Sequence, residues 1–164
     1  MFLNRLIQMS FILIIIAILA SCIAKTHTIV TPFDESKFEP YVGDGNSNIQ
    51  GQAFLKTRGG EVRYAAGNTV TIFPATSYSR EIRAAGLRRE NLKNLNPRWS
   101  DYKRTVVADG SGNFEFKNIP AGDYFIECPI YWKVYGSYTQ TTGAHIKKEI
   151  KVLPNQTLKV ILTQ

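Results

Sequence analysis

Cysteine and histidine are each present only twice in 164 residues, which removes most of the side chains on which metal and nucleophile chemistry is built. Cys22, Cys128, His27 and His145 form no Cys-x-x-Cys pair, no His-Glu-x-x-His run and no cluster with zinc spacing. Serines are present, but none sits in a Gly-x-Ser-x-Gly turn that would expose a nucleophile ahead of a helix. Asp109, Ser111 and Asn113 imitate the first half of a calcium loop. Its sixth place, however, is Phe114 rather than glycine, and its twelfth is Pro120 rather than an acid. A hairpin turn accounts for these residues better, and Asp44, Asn46 and Asn48 receive the same discount. The chain is therefore expected to be no enzyme and to need no metal or cofactor.

Long apolar runs are absent except at the start, where residues 11–20 contain no polar side chain. Arg5 gives this stretch a positive n-region, and small residues follow it, which is the layout of an export signal. Leu19-Ala20-Ser21-Cys22 then resembles the lipobox of bacterial lipoproteins. The resemblance implies cleavage before Cys22, a diacylglycerol thioether on its sulfur and an acyl group on the new amino terminus. Several acyl chains hold far better than one, since each buried methylene adds about 0.8 kcal/mol. Ile23 stands where an aspartate would retain the protein at the inner membrane, so the same resemblance points to the outer membrane. The competing reading is an uncleaved anchor over residues 6–24, close to the roughly twenty residues a bilayer requires but diluted by Gln8, Ser10 and Ser21. With Cys22 lipidated, Cys128 has no partner for a disulfide. It lies in the apolar stretch Tyr124-Phe125-Ile126-Glu127-Cys128 and reads as a small buried hydrophobe rather than a nucleophile.

The remaining 143 residues suffice for one domain and a tether. The full chain carries a net charge of +7, unevenly distributed. Residues 79–104 hold eight cations, including Arg88 and Arg89, against Glu81, Glu90 and Asp101. A basic surface invites nucleic acid, which an exported lipoprotein rarely meets. Anionic head groups, envelope polymers or an acidic protein face are the alternatives, beside a merely solvated helix surface.

Residues 22–48, with Pro32, Pro40, Gly43 and Gly45 and few periodic apolar positions, read as a flexible tether reaching about 25–30 Å. A short strand over residues 27–30 is the one element expected there. From Ile49 the period becomes two. Strands are expected at 49–56, 68–73, 105–108, 113–116, 124–128, 146–152 and 157–162, with turns at Gly59-Gly60, residues 109–113, Pro120-Ala121-Gly122 and Leu153-Pro154-Asn155. Seven short strands at this spacing predict an all-β sandwich. Between the second and third lies an insertion, about residues 76–102. Ile82, Ala85, Leu92 and Leu95 fall near one helical face there, as one helix or as two, since Gly86 costs about 1 kcal/mol inside a helix.

Ala108-Asp109-Gly110-Ser111-Gly112-Asn113-Phe114-Glu115-Phe116, followed by Asn118-Ile119-Pro120-Ala121-Gly122-Asp123-Tyr124, resembles the carboxypeptidase regulatory-like domain. The resemblance covers about residues 49–162 apart from the insertion. It implies a transthyretin-like, Greek-key sandwich. It does not choose among that family's uses, which include adhesion, sugar binding and spacing. Aromatic residues supply the best binding signal, in Tyr131-Trp132-Lys133-Val134-Tyr135-Gly136-Ser137-Tyr138 and in Tyr78, Trp99 and Tyr102. These rings either stay open for a ligand or pack against one another as a secondary core. The first expectation is a non-catalytic envelope lipoprotein that binds or scaffolds another protein through the basic insertion (Arg88, Arg89) and the aromatic hairpin. The alternative is a carbohydrate-binding module for peptidoglycan or surface glycan, using Trp132 and Tyr135. An accessory role to a separate peptidase is the third.

Overall fold

The computed structural model describes residues 25–164; the export signal, the apolar run and Cys22 lie outside the described residues. Ten strands follow in chain order among those residues: β1 (Thr26–Thr28), β2 (Ser47–Lys56), β3 (Val62–Tyr64), β4 (Thr69–Pro74), β5 (Asn91–Lys93), β6 (Arg104–Val107), β7 (Asn113–Ile119), β8 (Gly122–Val134), β9 (Gln140–Val152) and β10 (Thr157–Leu162). One α-helix, α1 (Ser77–Leu87), joins β4 to β5. The all-β expectation stands, while the count of seven is corrected to ten. The three strands added to the seven, β1, β3 and β5, are three residues each, too short for an alternating pattern to register, although β1 overlaps the short strand expected over residues 27–30.

Two compact units divide the chain, and the larger comprises residues 31–80 and 96–164. It contains two four-stranded sheets. In the first, β2 pairs in parallel with β10, antiparallel with β7 through its first half and antiparallel with β3 over its last three residues. The second runs β6-β4-β8-β9, antiparallel throughout. One apolar cluster draws on both sheets: Ile49, Ala53, Phe114, Phe116, Val160 and Leu162 from the first, with Val70, Ile72, Tyr124, Ile126, Ile146 and Val152 from the second. Alternation produces this directly, since residues two apart point to one face of a strand. The Tyr124 ring is 2% exposed, and its hydroxyl donates to the Pro120 carbonyl at 2.8 Å. That bond satisfies its polar tip and fixes the bend before β8.

The turn between β6 and β7 is tied by one carboxylate. Asp109 Oδ1 accepts the backbone N–H groups of Ser111 and Asn113, each at 2.8 Å. These bonds hold the Asp109 carboxyl below its ordinary range, led by the one from the Asn113 side chain. Gly112 adopts φ +76, and a Cβ there would lie 2.4 Å from the Ala53 carbonyl oxygen, so only glycine fits.

The expected tether is folded from residue 31 onward. Two 3-10 turns form at Glu35–Lys37 and Glu39–Tyr41, the first capped by Asp34. Phe38 is 1% exposed, and its ring centroid lies 5.1 Å from that of Phe33 and 4.6 Å from that of Tyr102. Glu35 receives the Arg98 guanidinium and the Tyr102 hydroxyl. Phe33, Phe38 and Tyr41 follow neither helical nor strand spacing, so they read as linker although their rings are packed.

The helix in the insertion is shorter than its apolar spacing suggests. At its start Thr76 and Ser79 exchange reciprocal bonds between hydroxyl and backbone N–H, an arrangement akin to a capping box. At its end Arg89 takes φ 57, and the Glu90 N–H reaches back to the Ala85 carbonyl at 3.0 Å, a left-handed stop. Leu92 therefore falls in β5 and Leu95 in the following loop. The smaller unit includes residues 25–30 and 81–95. In it β1 and β5 pair in parallel, with His27 opposite Leu92. His27 Nε2 lies 2.7 Å from Glu81, and Arg88 lies 2.8 Å from Glu90.

Two outcomes are expected. Phe38→Ala should lower stability to denaturant by about 3–5 kcal/mol, the usual cost of truncating a buried phenylalanine; a tether residue would show no loss. Burial pushes the Cys128 thiol up to about 11, so iodoacetamide at neutral pH should leave it unmodified in the native protein and alkylate it in denaturant.

Candidate functional site

The second sheet contains a mismatch in length. β8 and β9 pair along thirteen residues each, from Gly122 opposite Val152 to Val134 opposite Gln140. β4 reaches β8 only from Tyr124 to Glu127. Past Glu127, β8 is paired with β9 alone, and Pro129, which has no N–H to offer a further strand, lies in that part. The result is a two-stranded ribbon. Such a ribbon is marginal by itself in water, so one face must be held down. Ile130, 2% exposed, and Trp132, half-buried, pack on the shared core from that face. The Arg63 guanidinium lies over the Trp132 ring, 5.8 Å from its centroid.

Alternation sends the neighbouring rings elsewhere. Tyr131 is 54% exposed, and Tyr135 and Tyr138 in the connecting loop are each 77% exposed. Opposite Tyr131 sits Gly143 at φ +129, where a Cβ would meet the Ile130 carbonyl oxygen at 2.1 Å. No side chain can therefore flank Tyr131 from that cross-strand position. The open tyrosines give the ribbon the amphipathic rings typical of recognition surfaces.

The four binding residues singled out by sequence divide differently from expectation. Tyr135 is open. Trp132 belongs partly to the core, so its ring has a structural role as well. Arg88 and Arg89 lie in the smaller unit, and Arg88 is paired with Glu90, whose carboxyl is held low by that bond. Most of the basic insertion is similarly committed. Arg80 is bidentate to Glu149 and Arg98 to Glu35. Lys103 lies 4.0 Å from the Trp99 ring centroid, and Arg104 donates to the carbonyls of Tyr41, Gly43 and Asn118. The insertion's own rings are packed too, with Tyr78 at 2% and Trp99 at 8% exposure. Trp99 meets Phe73 edge-on, and Tyr78 meets Phe33.

Concave surface tells the same story. A cleft of about 700 Å³ lies between the 3-10 turns and the start of β6, lined by Glu35, Tyr41, Arg98, Tyr102 and Arg104 among others. Its fixed polar groups bond mainly to one another, which suits a structural seam better than a ligand site. A smaller cleft of about 440 Å³ lies against the ribbon, lined by Lys56, Thr57, Arg58, Trp132, Thr142 and Gly143. Lys56 and Arg58 are exposed and take part in no ion pair among the described residues. Sequence reasoning passed over both, because a lysine and an arginine beside the Gly59-Gly60 turn look like ordinary surface until the turn is placed next to Trp132.

No family model matches the chain, and no curated protein sequence matches it. Among solved structures, the fold is similar to that of a protein from Pseudomonas aeruginosa described as a proposed carbohydrate-binding protein. The two share 28% identity over 82% of this chain and 99% of the other, with a TM-score of 0.71. A 9R-lipoxygenase from Cyanothece shares 13% identity, with 87% of this chain lying on 18% of the enzyme, and its TM-score of 0.34 carries no argument. What this chain is similar to, over nearly the whole length of the other protein, is thus a β-rich structure to which a sugar-binding role has been ascribed.

Proposed function

We propose that this chain is a non-catalytic carbohydrate-binding module built on a transthyretin-like sandwich, with the β8–β9 ribbon as its contact element. The observation carrying this reading is the likeness to the Pseudomonas aeruginosa protein across 99% of that protein's length. The ribbon supports it, because Tyr131, Tyr135 and Tyr138 keep open ring faces of the kind that stack on sugar C–H surfaces. The other reading, a protein scaffold gripping its partner through the basic insertion, is less well supported. The guanidinium groups of Arg80, Arg88, Arg98 and Arg104 already have partners within their own unit.

The same proposal places the module at the outer membrane of a bacterial envelope, held by lipid on Cys22, on the strength of Leu19-Ala20-Ser21-Cys22.

Affinity electrophoresis against a panel of neutral and acidic polysaccharides tests the sugar reading. Retardation by at least one polymer is expected, weakened about tenfold in Tyr135→Ala/Tyr138→Ala, as loss of aromatic anchors generally produces. Mobility unaffected by every polymer would overturn it. Labelled palmitate should enter the wild-type protein and fail to enter Cys22→Ser; equal labelling of both would remove the anchor.

A further inference from the structure

We infer that the cleft behind the ribbon selects acidic sugars, so that the ligand is a polyanionic glycan such as a polyuronate rather than a neutral one. This rests on the carbohydrate reading above and adds the chemistry of the ligand. Three observations meet at one place. Trp132 brings an indole to the wall of a cleft of about 440 Å³ while the rest of its ring holds the ribbon to the core. Lys56 ends β2, and Arg58 follows it in the turn before β3; both line the cleft, and neither is in an ion pair among the described residues. No aspartate or glutamate side chain lines it, and Gln164, the last residue of the sequence, completes its wall. The nearest carboxylate along the turn, Glu61, is held by Arg63 at 2.7 Å, and that same guanidinium lies over the Trp132 ring.

A neutral sugar would use the indole and Thr142 but would leave the Lys56 ammonium and the Arg58 guanidinium facing it with no side-chain carboxylate in the cleft wall to balance them. A uronate or sulfated residue supplies that charge at the distance of its own ring substituents, and arginine presents a planar fork suited to carboxylate or sulfate. The cleft is also open rather than enclosed by a lid, so it admits the interior of a long chain. Tyr131 on the opposite face of β8, with Tyr135 and Tyr138 at the tip, then offers stacking surface to further residues of the same polymer.

The experiment measures binding of polygalacturonate and of dextran by the folded chain at low and high salt. It compares wild type with Lys56→Glu/Arg58→Glu and with a control of equal net charge, Lys117→Glu/Lys159→Glu, placed outside the cleft. Both pairs are on exposed positions, so folding is retained and circular dichroism verifies it. Expected are tighter binding of polygalacturonate than of dextran, weakening with salt, and a loss of about tenfold in the cleft variant, with the control within about twofold of wild type. Equal binding of the two polymers overturns the inference while leaving the sugar reading in place. Equal losses in the two charge variants also overturn it, since attraction to the overall positive charge then suffices. Failure of wild type to bind any polysaccharide overturns the carbohydrate reading itself, and the inference with it.

Discussion

β8 is longer than the sheet it crosses, and the candidate site depends on that mismatch. Through Glu127 the strand has neighbours on both edges, and its even-numbered residues Tyr124 and Ile126 are core. Beyond it only β9 remains, yet the alternation cannot stop. Cys128, Ile130 and Trp132 continue the core face, while Tyr131 and Lys133 are turned outward. A polypeptide that must bury every second side chain of a protruding ribbon is obliged to expose the ones between. The candidate contact surface is the other side of a packing requirement.

The same logic explains why the basic insertion, prominent in sequence, is a weak candidate for a contact. Charge density along a chain says nothing about where the counter-charges come from. Glu35 lies 63 residues from Arg98, and Glu149 lies 69 from Arg80. These exposed pairs contribute little individually to stability, but they occupy the guanidinium forks that a partner would need. Arg104 shows a further use of charge, since its guanidinium gathers carbonyls at Tyr41, Gly43 and Asn118 and so pins the segment before β2.

Much of the fold was legible because it rests on local periodicity. The strands around Ile49, Val70, Phe114, Ile126, Ile150 and Val160 all obey a period of two, and Asp109 to Asn113 and Pro120 to Gly122 carry their own turn chemistry. What escaped was whatever depends on distant partners. Phe38 is core because Phe33 and Tyr102 meet it, and no window of sequence contains that meeting. Leu92 keeps helical spacing with Ile82 and Ala85, but Arg89 in a left-handed conformation ends the helix first. At the site, Tyr135 was legible as an exposed ring in a hairpin. Trp132, on the opposite face from Tyr131 as alternation requires, both packs on the core and reaches a cleft, and Lys56 and Arg58 acquire meaning only through their position beside it.

The openness of the ribbon bears on what kind of affinity it can produce. Rings exposed by half or more, and a cleft without a lid, leave a ligand largely solvated, so each contact should be modest and electrostatic terms screened by salt. Weak single contacts become firm when the ligand is a polymer and the protein is held in numbers on one surface, because every later engagement is then effectively intramolecular. The proposed lipid on Cys22 would supply that arrangement, and a repeating polyanion would supply the matching valency. Under that combination a deep pocket is unnecessary, which is consistent with a fold whose tightest packing lies in its core and whose most exposed tyrosines, Tyr131, Tyr135 and Tyr138, lie on a projecting ribbon and its connecting loop.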